Sequence, residues 1–122
     1  MNKEIIIQEI ESLIRSLNFI QEELSFIKSK LSKFLEKVSE SSILNWAELL
    51  HQEILNRETA IQLLKNDILK WQNQVIRKKA INNILELPII DSFKKFKQQV
   101  IYFETEFMTW KNITNEQFEI PL

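Results

Sequence analysis

From Ile6 onward, apolar residues recur at alternating steps of four and three: Ile6, Ile10, Leu13, Leu17, Ile20, Leu24, Ile27, Leu31, Phe34 and Val38. A strand gathers side chains on one face in steps of two, so this spacing can line up only on a helix. It predicts one helix over residues 2–39, about 57 Å long at 1.5 Å per residue. Ser39-Glu40-Ser41-Ser42 interrupts the pattern, and Ser41 or Ser42 suits the cap of a second helix. The alternation then resumes through Ile43, Ala47, Leu50, Ile54, Arg57, Ile61, Leu64, Ile68, Trp71 and Val75. A second helix over 42–86 follows, stopped by Leu87-Pro88, with Asn56 to Thr59 as the natural place for an interior break. Asp91 or Ser92 would cap a third helix, 91–113, striped by Phe93, Phe96, Val100, Phe103, Phe107 and Trp110. Residues 114–122 lose the period and read as an irregular tail on a single domain.

Residue types agree with this pattern. The 122 residues include no glycine, two prolines and no cysteine. Glycine serves backbone positions with φ > 0, so its absence disfavours tight hairpins, phosphate-cradling loops and the nucleophile elbow. Without cysteine there is no disulfide framework, thiolate metal site or Cys nucleophile. Ile5 to Ile7 is too short a run for a signal-peptide core, and no stretch nears the ~20 apolar residues of a membrane span. A soluble, cytoplasmic, all-α protein without a cofactor is expected.

Register arithmetic joins the helices. If the first two fold back at Glu40-Ser41, residues whose numbers sum to 81 face one another, from Phe34 with Ala47 to Ile6 with Val75. Every pair is apolar on both sides except Leu24 with Arg57, whose guanidinium would reach out to Glu22 or Glu23. Folding the third helix back around Pro88 sets Trp71 by Phe103 and Ile68 by Phe107. Layers such as Leu13/Ile68/Phe107 result. The fold expected is a long antiparallel helical hairpin with a shorter third helix on its open end. A four-helix bundle is the alternative if the second helix breaks near Asn56.

A short third helix would leave the hairpin tip bare. That tip carries Phe26, Leu35, Leu44, Trp46 and Leu49 off the main stripe. Exposed apolar surface of this extent marks an interface. The functional expectation is therefore a non-enzymatic structural or interaction module, an adaptor or assembly subunit that self-associates through the tip as a homodimer. The alternatives are an unknown protein partner, or burial within the chain by the tail or by a broken second helix, and Trp46 is the expected anchor.

Residues that could carry chemistry are few. His51 is the sole histidine, and Glu48-x-x-His51 has the spacing used by carboxylate-bridged di-iron bundles. One chain holds only half of such a site, so the motif reads as a solvated face and no metal is expected. No nucleophile–base pair is visible, and no catalytic residue is assigned.

Charge is uneven. Residues 65–97 hold 8 basic and 3 acidic groups, against 7 and 10 in residues 1–64. Arg77, Lys78, Lys79, Lys94, Lys95 and Lys97 should gather with Lys3 near Pro88. The alternative function is thus an anion or nucleic-acid binder working through this end. A net charge of −1 and the absence of a recognisable nucleic-acid module argue against it.

Overall fold

The computed structural model describes residues 2–78 and 85–119. Three helices occupy them, α1 (Lys3–Leu35), α2 (Ser41–Arg77) and α3 (Leu87–Glu119), and there is no strand among the described residues. They run up, down and up as a three-helix bundle. The core consists of residues of the four-and-three stripes, joined by Leu85 and Ile89. Ile6, Ile10, Leu17, Leu24, Ile54, Ile68 and Val100 are inaccessible to solvent, and the remaining stripe positions are buried or half-buried.

Each helix end has a local cause. The Asn2 side chain accepts from the Glu4 N–H at 2.7 Å, a short-range N-cap that opens α1. α1 ends four residues earlier than the stripe suggested. Lys37 and Val38 donate back to Phe34 and Leu35, tightening the last turn before the corner. Extended Glu40 is the N-cap of α2 and makes no side-chain cap bond, so the serines are helical residues rather than caps. α2 continues without interruption through Asn56 to Thr59, so the four-helix alternative does not form.

The second corner differs most from expectation. α2 ends at Arg77, with Lys78 extended, rather than at residue 86. Residues 79–84, including Lys79, lie outside the described residues, as do 120–122 at the end of the expected tail. Pro88 does not stop α2, which ends at Arg77; it is the second residue of α3. A first-turn N–H has no helical acceptor, so proline costs nothing there. α3 therefore starts four residues earlier than Asp91.

α3 also ends later than 113. Residues 114–119 are helical, not an irregular tail, and Thr114 takes a buried seam position. With 33 residues, α3 matches α1 in length and runs its full height.

The earlier corner changes which residues meet. Trp71 lies against Phe93 and Phe96, with centroids 6.3 and 5.3 Å away, not against Phe103. Phe107 shares a groove with Ile20 rather than a layer with Leu13. The α1–α2 register, by contrast, is close to the one expected. Phe34 meets Trp46 at 5.7 Å, and Gln21 donates to Gln62 at 2.9 Å. Lys28 bridges Glu58 at 3.0 Å.

Candidate functional site

Three regions have the residue types to do something: the tip, a polar network across α2 and α3, and the end where α2 gives way to α3.

At the tip the late end of α3 matters. Phe118 packs edge-on against both Phe34 and Trp46, at 5.7 and 5.4 Å, and Phe34 closes the trio on Trp46. The Lys30 ammonium sits 4.7 Å over the Phe118 ring, and Trp46 Nε1 donates to Gln117 Oε1 at 3.1 Å. Edge-to-face aromatic pairs add about 0.5–1.5 kcal/mol each beyond their burial. The hairpin tip is therefore covered in part within the chain. Trp46 and Leu35 pack on the core, whereas Phe26, Leu44 and Leu49 stay exposed.

Midway down, Arg57 takes a seam position yet does not reach Glu22 or Glu23. Its Nη2 donates to Glu106 of α3, and its guanidinium stacks 4.4 Å from the Trp110 ring. Trp110 Nε1 in turn donates to Glu53 Oε2 at 2.9 Å. Arg57 Nε is buried without a hydrogen-bond partner. Glu23 pairs instead with Lys111 of α3 at 2.9 Å. The displaced α3 register explains both exchanges, because it brings Glu106, Trp110 and Lys111 to this height. The network ties α2 to α3 with long side chains and shows no nucleophile beside a base.

At the α2–α3 corner, Lys3 reaches across from α1. Its ammonium donates to the carbonyls of Ile76 and Lys78, at 3.0 and 2.7 Å, and so serves the unpaired end of α2. Lys78 bridges Glu86 at 3.2 Å. Arg77, Lys94, Lys95 and Lys97 are exposed and make no ion pair among the described residues. Because α3 begins at Leu87, Lys94 lies beyond its first turn, where the helix dipole no longer opposes a cation.

His51 and Glu48 are exposed on α2. No group of three or more His, Asp or Glu side chains among the described residues could hold a metal ion. No helix among them is long and apolar enough to cross a membrane.

Outside the core lies a second set of apolar residues. Phe19 and Phe26 stand one heptad apart on α1, Ile101 and Met108 on α3, and Leu69 and Ile76 on α2; Leu49 and Leu63 stand two heptads apart. All are exposed, Phe26 by 67% and Leu49 by 69%. Phe19 and Met108 line an open groove of about 360 Å³ between α1 and α3, with Ser12, Arg15, Ser16 and Glu104. The heptad spacing of these residues was present in the sequence, overshadowed by the stronger core stripe.

No family model matches the chain, and no curated protein or solved structure is significantly similar to it.

Proposed function

We propose that the chain is a non-enzymatic helical interaction module, an adaptor or assembly subunit that acts through the sides of a stiff three-helix rod and self-associates. The observation that carries this reading is the set of exposed apolar side chains repeating at heptad spacing outside the core. Single exposed leucines are ordinary, but repeats on one helix face join into stripes, and such stripes mark protein contacts. The grooves between helices are open and shallow, a shape suited to a partner helix rather than to a sequestered substrate. Sedimentation velocity between about 2 and 200 µM tests it, a span that brackets micromolar affinity. A rise in mass from 14.7 kDa toward the dimer supports self-association, and an unchanged monomer removes it.

A second reading, an anion or nucleic-acid binder, draws support from exposed Arg77, Lys94, Lys95 and Lys97. Retardation of DNA or RNA in a low-salt gel shift, lost on Lys94→Glu/Lys95→Glu, would favour it; no retardation at high protein excess would end it.

A further inference from the structure

On the face between α1 and α3, charged, small and apolar residues can be set against one another about one level. On α1 that level is Phe19. Glu4, Glu9 and Glu11 precede it along with Lys3 and Arg15, and Lys28, Lys30 and Lys33 follow it along with Glu22 and Glu23. Nearer to it stand Arg15 on one side and Glu22 on the other, both exposed and neither in an ion pair among the described residues. Small Ser12 and Ser16 lie toward the N-terminus and bulky Phe26 toward the C-terminus, on the same side of the helix.

We propose, building on the reading of the chain as a self-associating module, that two copies pack antiparallel through the α1–α3 face about a two-fold axis beside Phe19. Each Phe19 then meets its own copy. Phe26 covers the partner's Ser12, Arg15 faces the partner's Glu22, and Glu9 faces the partner's Lys30. The same rotation sets Ile101 of α3 on the partner's Met108. An isologous contact of this kind is self-complementary by construction.

The two helices check one another. The α1 pairings centre on residue 19, and the α3 pairing centres between 104 and 105. One axis serves both only if those positions stand at the same height. In the structure α3 residues sit about 84–88 positions ahead of their α1 neighbours, as Phe34 with Phe118 and Glu23 with Lys111 show, which puts residue 19 level with 103–107. The centre of the α3 pairing falls within that span.

Two like-charged approaches result: Glu104 with its copy near the axis, where Arg15 lines the same groove to offset it, and Lys97 with the partner's Lys111 about one heptad away, where Lys111 is already paired with Glu23. The α2–α3 face also exposes Leu49, Leu63, Tyr102 and Ile113, and is acidic at Glu48 and Glu53 and basic at Lys70 and Lys95, but it has no unpaired opposed charges as near its centre as Arg15 and Glu22 stand to Phe19. Opposed charges discriminate between alternative dockings more than they add affinity, which is why the α1–α3 face is chosen.

Charge reversal provides the test. Each reversal acts twice in a symmetric dimer, so Arg15→Glu and Glu22→Arg should each raise the dimer Kd at least about tenfold, with far-UV circular dichroism unchanged. A one-to-one mixture of the two variants, or the double variant, should recover the wild-type Kd. In the cysteine-free chain, Phe19→Cys should oxidise to a disulfide-linked dimer, while Leu49→Cys should not. Wild-type dimers with Kd insensitive to either reversal, no recovery in the mixture, or crosslinking through Leu49→Cys instead of Phe19→Cys would each overturn the α1–α3 axis while leaving self-association standing. A wild-type monomer throughout the concentration range would overturn self-association itself.

Discussion

Replacing Arg57 by leucine should leave stability almost unchanged, whereas neutralising its partner with Glu106→Gln should cost more. The asymmetry follows from partial burial: the side chains are 21% and 35% exposed. In Arg57→Leu the chain loses a half-exposed ion pair of about 1 kcal/mol and a cation–π contact of about 0.5–1 kcal/mol. It also loses the buried Nε–H that has no acceptor, and removing such a donor returns about 1–3 kcal/mol. Leucine continues the apolar seam between Ile54 and Ile61. The losses and the gain nearly cancel, so a net change within about 1 kcal/mol is expected. Glu106→Gln keeps the buried Nε–H and strands a partly buried guanidinium without its counter-ion, for about 1–2 kcal/mol; full burial would make it 3–5. Urea unfolding followed by circular dichroism at 222 nm measures both. A cost above about 3 kcal/mol for Arg57→Leu, with Glu106→Gln neutral, would refute the reasoning and place the stabilisation in the arginine's packing on Trp110 rather than in the ion pair.

Other substitutions probe separate parts of the fold. Phe118→Ala should cost about 2 kcal/mol, less than a fully buried phenylalanine, and shift Trp46 emission to the red; unchanged emission would mean that α3 does not reach the tip. Thr59→Pro should cost about 3 kcal/mol or more if α2 is continuous, since it removes a helical N–H and clashes one turn back; a cost below about 1 kcal/mol would place a break there. Lys3→Met keeps the apolar stem but withdraws two hydrogen bonds from the α2 carbonyls, and should lower stability by about 1 kcal/mol in thermal unfolding. Leu24→Ala, at a fully buried seam position, should cost about 3 kcal/mol; a loss under about 1 kcal/mol would contradict the packing.

The core stripe and the α1–α2 register were legible because a short corner fixes them. Once the chain turns within a few residues at Glu40, the seam residues of the two helices have few ways to interleave, and Phe34 had to end near Trp46. The α2–α3 register was not legible in the same way. Helical pattern continues past Val75 in the sequence, and nothing local marks Arg77 as the last helical residue. Pro88 is compatible both with ending one helix and with starting the next, and the structure uses the second sense. Moving that corner by a few residues displaced every α2–α3 pair, which is why Arg57 found Glu106 and Trp110. The length of α3 was hidden by Thr114, a polar residue in a buried position that broke the apolar pattern one turn before Phe118. Tip coverage depended on that turn, and with it the location of any interface.

On the proposal made above, the outer apolar stripes, and those of the α1–α3 face in particular, are covered by another copy. Amide chemical shifts recorded from about 20 µM to 1 mM test it residue by residue, a range spanning weak to moderate dimer affinities. Concentration-dependent shifts should concentrate at Ser12 to Phe26 and Ile101 to Met108 and spare Leu69 and Ile76. Spectra that do not change with concentration, or that change along Leu49 and Leu63 instead, would contradict it.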